Sequence, residues 1–265
     1  MVQRIAIFGI SGRMGQSLLR AVRETPAFTL SGAIASATSA RLGQDAALEG
    51  APIGMLVTSD LGLGLRGASV AVDFSVSGSV PAHAHACAAA GVPILIGTTG
   101  LDAAGRAALE QAARAIPVLI APNTSVGVSV VARLVSMAAQ GLGPSYDVEI
   151  LDTHHSTKPD APSGTALALG QAVAEARAVS LGDVATYDRS GQRTSRLPGS
   201  IGFSSVRAGD IVGEHTVMFA AAGERVEITH RATDRMVFAR GALRAAQWLV
   251  GQRAGTYGMR EVLGL

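Results

Sequence analysis

Arg4-Ile5-Ala6-Ile7-Phe8-Gly9-Ile10-Ser11-Gly12-Arg13-Met14-Gly15 stands almost at the start of the chain and decides how the first half is read. A run that is apolar after Arg4 enters a loop whose glycines are spaced GxxGxxG. Gly15–Glu24 then continues as a helix that ends near Pro26. A strand without polar alternation is buried on both faces, the condition of a strand in a parallel sheet. The same pattern recurs. Phe28–Ala35, Val70–Phe74, Pro93–Gly97 and Pro117–Ala121 read as further strands, with helices over Val80–Ala90 and Asp102–Ala115 between the later ones. This alternation predicts an α/β unit, a doubly wound parallel sheet with helices on both faces.

After about Asn123 the pattern changes. Val126–Ala139 reads as a long apolar helix with Ser125 as its N-cap, and Val148–Thr153 as a strand leading into His154. Ile201–Arg207, His215–Ala220 and Arg225–His230 read as strands joined by glycine-containing turns, without helices between them. That predicts an α+β domain on an antiparallel or mixed sheet. Tyr187–Pro198 is polar and helix-poor and reads as a mobile loop. Phe238–Gln252 reads as a helix that packs back on the first half. The expected division is therefore a Rossmann-like, dinucleotide-binding domain over residues 1–125, joined by 236–265, and a substrate domain over 126–235.

Composition narrows the function classes. The 265 residues carry 22 Lys and Arg against 20 Asp and Glu, with 48% apolar and 16% charged residues, so the chain can build sizeable cores. A net charge of +2, with arginines scattered and no basic run, excludes a nucleic-acid footprint. The single cysteine, Cys87, excludes an internal disulfide and reads as a small buried hydrophobe. The chain shows no basic-then-apolar leader at Met1–Ile5 and no long apolar run, so a cytoplasmic protein without a membrane span is expected.

The GxxGxxG loop carries the first chemistry. Glycines allow a tight turn and close backbone approach, while the following helix offers free N–H groups to a pyrophosphate. Gly9, Ile10, Ser11, Gly12, Arg13, Met14 and Gly15 are the candidate cofactor residues here. Gly97, Thr98 and Thr99, and Ala121, Pro122, Asn123 and Thr124, add two loops at later strand ends, where ligands bind in such sheets. At the end of the second strand, Ala35 and Ser36 stand where an NAD-preferring site often has a carboxylate, and no acid occurs until Asp45. Ser36, Thr38 and Arg41 can accommodate a 2′-phosphate, which favours NADPH over NADH.

The second chemistry lies in Asp152-Thr153-His154-His155-Ser156-Thr157-Lys158-Pro159-Asp160-Ala161-Pro162-Ser163-Gly164-Thr165-Ala166. Histidine suits proton transfer near neutral pH, lysine offsets an anionic charge or delivers a proton, and Ser-Gly-Thr opening a helix can receive a carboxylate. Each residue alone also fits a bland role: a structural histidine, a solvated lysine, a helix cap. Their concurrence favours a site. Adjacent histidines on an extended segment point to opposite sides, and no HExxH pair or cysteine cluster accompanies them, so no metal is expected. His215 and His230 read as packing or strand polar faces, and Arg207 and Glu214 as interface or loop supports.

These blocks resemble the 4-hydroxy-tetrahydrodipicolinate (dihydrodipicolinate) reductase family, a resemblance that spans nearly the whole chain. It runs through Gly9–Gly15, Asp73-Phe74-Ser75, Gly97–Gly100, Asn123–Gly127 and, most specifically, His154–Ala166. It continues through Ile201–Phe203, Val206–Gly209, Gly213–His215 and Phe238–Ala242. The resemblance implies NAD(P)H-dependent reduction of a small cyclic dicarboxylate with loss of water. Hydride goes to ring carbon C4 and a proton to the adjoining position. It implies His154 as proton donor/acceptor, Lys158 as proton donor, and His155, Gly164 and Thr165, with Ser163 beside them, as substrate-binding residues. It also implies a homotetramer built through the second domain's sheet. Two departures stand out: Ala35-Ser36 where the family often has an acid followed by arginine, and Asn123-Thr124-Ser125 where it often has Asn-Phe-Ser. A two-domain aspartate- or homoserine-type dehydrogenase explains the glycine loop but not the histidine block. A dinucleotide-binding redox sensor leaves His154 and Lys158 idle.

Overall fold

The computed structural model describes residues 2–191 and 193–265; Met1, in the N-terminal reading, and Gln192, in the 187–198 loop, lie outside the described residues. The chain divides into two compact units, residues 1–126 with 236–265, and residues 127–235.

In the first unit β1 (Gln3–Phe8), β2 (Phe28–Ile34), β3 (Val70–Asp73), β4 (Ile94–Ile96), β5 (Pro117–Ile120) and β11 (Gly255–Tyr257) form one sheet. Its order is β11-β5-β4-β3-β1-β2 and every pairing is parallel. The chain leaves β1 for one side of the sheet and returns to β3 on the other, so the crevice beyond these two strand ends is a topological switch point. The strands are apolar because helices cover both faces. Ile5, Ile7, Val70, Val72, Leu95 and Leu119 pack with α1 (Arg13–Glu24), α8 (Met236–Leu249) and α9 (Met259–Leu263). Ala6, Phe8, Ala71, Ile94, Ile96 and Val118 pack with α2 (Leu61–Leu65), α3 (Val80–Ala90) and α4 (Ala103–Ala112).

Several short elements depart from the sequence reading. Residues 36–58, between the second and third strands, hold a loop pinned by Asp45, whose carboxylate accepts N–H bonds from Ala47, Ile53 and Gly54. α2 follows with Asp60 as N-cap, and is too short to show a helical period. β11 and α9 were missed because a three-residue strand carries no periodicity; β11 exists because α8 returns the chain beside β5. Cys87 is buried on α3, and burial pushes its thiol well above the usual range.

The second unit holds β6 (Asp147–His154), β7 (Ala185–Thr186), β8 (Ile201–Arg207), β9 (Gly213–Ala221) and β10 (Glu224–Ala232) in the order β10-β9-β6-β8-β7. β6 runs antiparallel to β9 and parallel to β8, so the sheet is mixed. α5 (Val126–Leu142) and α6 (Gly164–Ala176) supply Val131, Val135, Leu169 and Val173 to a core with Val148, Ile150, Phe203 and Phe219; α7 (Leu181–Val184) is a single turn. The loop after β7 has neither helix nor strand among its described residues, yet Arg196 anchors its far end. Its guanidinium donates to the carbonyls of Val148 and Ser200 and to the carboxylates of Asp147 and Glu149. Among the described residues no helix is long and apolar enough to cross a membrane.

Candidate active site

The glycine loop is built by close backbone approach. Gly9 has φ +75°, and a Cβ there would meet the Phe74 carbonyl oxygen at 2.8 Å; a Cβ on Gly15 would overlap the carbonyl oxygen of Gly9. Ile10 is buried in the core, Met14 is half-buried, and Gly12 and Arg13 are exposed. α1 starts after Gly12 with no side-chain cap and no acidic residue in its first turn. The positive end of this helix is thus neither capped nor neutralised, which fits an anionic pyrophosphate. Gln16, absent from the sequence reading, braces the loop: its amide donates to the carbonyls of Ile10 and Ala46 and accepts from the Leu48 N–H.

The two later loops are braced as well. Buried Asp73 accepts from the Ser75 N–H at 2.8 Å and from the Thr98 hydroxyl at 3.1 Å, and faces Nδ1 of His83 at 2.8 Å. Burial opposes ionisation, but His83 and the Ser75 bonds outweigh it and hold the Asp73 carboxyl below the usual range. Thr98 thus spends its side chain on the fold, while Thr99 stays exposed. A Cβ on Gly97 would strike the Phe74 ring. Thr124 is buried and donates to the Phe238 carbonyl at 2.7 Å. Ala121 is buried, Pro122 exposed, and Asn123 accepts from the Ser125 N–H at 2.9 Å. At the end of β2, Ala35 donates to the Thr58 carbonyl, and the exposed Ser36 and Thr38 hydroxyls lie 3.2 Å apart. Arg41 reaches the Asp45 carbonyl.

In the second unit the register of three strands assembles a polar cluster. Asp152 and His154 lie two apart on β6 and so share a face. Asp152 is opposite His215 on β9 and Ser205 on β8, while His154 is opposite Arg207. Asp152 is fully buried. Its Oδ1 lies 2.8 Å from Nδ1 of His154 and 3.5 Å from Nε2 of His215. Its Oδ2 accepts from the Ser163 N–H at 2.7 Å and from Arg207 at 2.9 Å. Burial disfavours the Asp152 carboxylate, but His154, Ser163 and Arg207 overcome this and keep it ionised well below the ordinary range. Ser163 caps α6 by accepting from the Ala166 N–H, and its hydroxyl lies 3.0 Å from Nε2 of His215. The rings of His154 and His215 meet edge to face at 5.1 Å.

His155 points away from this cluster, with Nδ1 2.9 Å from the Thr157 hydroxyl. The Lys158 ammonium pairs with Asp160 at 2.8 Å, and its backbone N–H closes a turn onto the His155 carbonyl. Gly164 and Thr165 open α6, Gly164 exposed and Thr165 half-buried. The ligand atoms of Asp152, His154 and His215 come within 4.8 Å of one another, a spacing that suits a cation. Asp152 already faces Arg207, however, and His215 faces the Ser163 hydroxyl, so the cluster reads as a charge and hydrogen-bond network.

Residues 3–124 match the family description "Dihydrodipicolinate reductase, N-terminus", and residues 127–263 match "Dihydrodipicolinate reductase, C-terminus". The chain belongs to the dihydrodipicolinate reductase family. It is 51% identical over 266 residues to the 4-hydroxy-tetrahydrodipicolinate reductase of Thiobacillus denitrificans, covering all of both chains. It is 49% identical to the same-named protein of Anaeromyxobacter dehalogenans, over 99% of this chain and 98% of that one. In fold it is similar to the dipicolinate-bound dihydrodipicolinate reductase from Paenisporosarcina sp. TG-14. That match has a TM-score of 0.77 at 24% identity and covers 98% of this chain and 99% of that one.

Two residues of this reductase, Arg207 and His215, have a partner beyond those the sequence reading gives them. Both face the Asp152 carboxylate, while Arg207 also supports the following loop by donating to the Asp160 carbonyl and the His215 ring packs on that of His154. Asp152 itself was overlooked, although its i, i+2 spacing to His154 was a usable signal. His215 also gives the reductase a pH signature. Burial is the main cause that lowers it from 6.5 to about 4, with the charges of His154, His230 and Lys158 adding to burial and Asp152 opposing it. Unfolded, it protonates near 6.5 and, folded, only near 4, so in between the unfolded chain binds more protons. Stability is therefore expected to fall as pH drops through that window. His215→Gln should make the decline of Tm with pH shallower; an unchanged slope would assign the acid sensitivity elsewhere.

Proposed function

We propose that the chain reduces 4-hydroxy-tetrahydrodipicolinate to tetrahydrodipicolinate in diaminopimelate and lysine biosynthesis, with NADPH as preferred donor and NADH as the alternative. One hydride and one proton are added and one water leaves. The observation that carries this reading is the segment folded around Asp152. It presents an acid–base histidine, a lysine and an uncrowded helix start within thirteen residues, His154 to Ala166.

A cyclic dicarboxylate needs two anionic groups received. The first turn of α6, at Ser163, Gly164 and Thr165, receives one carboxylate, and Lys158 with His155 receives the other. His154 and Lys158 hold the proton for the ring position beside the one reduced. The bound nicotinamide supplies the hydride. Gly9–Gly15, Gly97–Thr99 and Ala121–Thr124 hold the dinucleotide. Ala35 and Ser36 leave the second strand's end without a carboxylate that would repel a 2′-phosphate, and Ser36, Thr38 and Arg41 are the groups to receive it. The first unit is the dinucleotide-binding domain. The second binds substrate and joins copies into a homotetramer through its sheet, in the cytoplasm.

The test couples dihydrodipicolinate synthase, which generates the unstable substrate, to loss of NADPH or NADH at 340 nm. Consumption that needs both substrate and protein is expected, with the higher kcat/KM for NADPH, and Arg41→Ala should raise KM for NADPH while leaving that for NADH unchanged. A folded protein that binds dinucleotide but consumes neither cofactor would overturn this reading in favour of a sensor or of a different substrate.

A further inference from the structure

Two buried atoms of the second-unit cluster face each other. Oδ1 of Asp152 and Nδ1 of His154 are buried 2.8 Å apart, Oδ1 also lies 3.5 Å from Nε2 of His215, and neither atom has a hydrogen-bond partner outside these contacts among the described residues. A carboxylate only accepts, so this contact requires the proton to sit on Nδ1. Asp152 is not free to turn away. Arg207 and the Ser163 N–H hold its Oδ2, and the Ser205 hydroxyl lies 3.3 Å from the same oxygen. The other side of the ring meets a glycine. A Cβ on Gly213, the first residue of β9, would stand 3.0 Å from Nε2 of His154 and 3.3 Å from Cδ2.

We infer that His154 exchanges its catalytic proton at Nε2, over the bare backbone of Gly213, and that Asp152 is the positioning residue that keeps the other proton on Nδ1. This rests on the reductase reading. Donation from Nε2 leaves a neutral ring whose Nδ1 already faces the carboxylate, so little reorganisation accompanies the step. Other charged and titratable groups also surround the ring. They are Arg207 on β8 and His215 on β9 beside it, with His230 on β10 opposite His215 and Lys158, paired with Asp160, acting by its charge on His215. Burial keeps His215 neutral around pH 7, so it adds no further cation beside Arg207 at the same carboxylate.

Asp152→Asn tests the assignment, because its amide must turn either an N–H₂ toward Nδ1 or an oxygen away from Arg207. Expected is a fall in kcat on the order of 100-fold with the alkaline limb of the pH–rate profile moved to lower pH. NADPH affinity should stay within about threefold, and Asp152→Glu should recover much of kcat. Wild-type kcat and pH profile in Asp152→Asn would overturn the role of Asp152. Gly213→Ala leaves every charge in place; a fall of about tenfold or more in kcat is expected, and an unchanged kcat would overturn the Nε2 path. Nitrogen-15 shifts of the His154 ring in the wild-type protein report the tautomer whether or not it turns over. A neutral ring protonated at Nε2 alone would refute the inference, whereas absent turnover with an Nδ1-protonated ring would refute only the reductase reading.

Discussion

Alanine at His154 or at Lys158 is expected to lower kcat by a factor on the order of 10²–10⁴, while the dissociation constant of NADPH stays within about twofold. The two residues belong to the second unit, and the loops proposed to hold the dinucleotide all belong to the first. The variants should still differ. His154→Ala removes the nearest partner of Oδ1 on a buried carboxylate, leaving that oxygen only His215 at 3.5 Å, so it should also lower Tm. Lys158→Ala removes a part-exposed partner of an exposed aspartate, a pairing that contributes little to stability. Its loss should appear as a raised KM for the dicarboxylate together with the lower kcat. Steady-state kinetics, cofactor fluorescence titration and thermal unfolding separate these effects. A large loss of NADPH binding in both variants would sink the proposed division of labour.

Gly15→Ala is expected to weaken dinucleotide binding by tenfold or more and to destabilise the protein by about 1–3 kcal/mol. The new methyl would overlap the carbonyl oxygen of Gly9 and crowd Ile10, both backbone groups of the turn itself. No side chain can swing aside to admit it. Either α1 moves away from β1 or the turn opens, and both displace the uncapped N–H groups at the start of the helix. Gly100→Ala makes a useful contrast. Its Cβ meets nothing within 4 Å, so its cost comes only from a backbone held at φ +69°. Unchanged affinity and Tm in Gly15→Ala would show that the turn has slack that the packing denies.

The strands and longer helices were legible because burial on two faces leaves an unbroken apolar run, as in Val70, Ala71 and Val72 of β3 and in Ile94–Ile96. The glycine turn and the histidine block were legible for a related reason: each is a local conformation and its chemistry written in consecutive residues. His154, Lys158, Ser163 and Gly164 all fall within eleven positions. β11 and α9 carry no such record, being too short for a period and placed by the return of α8.

What the sequence by itself determined was therefore local: which of the longer segments are strands and helices, where a glycine turn opens a helix, and which segment carries the histidines and lysine proposed for proton transfer. What only the tertiary structure decided was the pairing between distant segments. Asp152 meets Ser205 and Arg207 from 53 and 55 positions along the chain, because β8 lies beside β6 in parallel register. His215 reaches Ser163 across 52 positions because β9 flanks β6 on its other edge. Asp73 gathers Thr98 and His83 in the same way in the first unit. A lone polar residue in a strand looks the same in sequence whether it faces solvent or a buried partner. Strand register, set by the packing of whole faces, settles which it is.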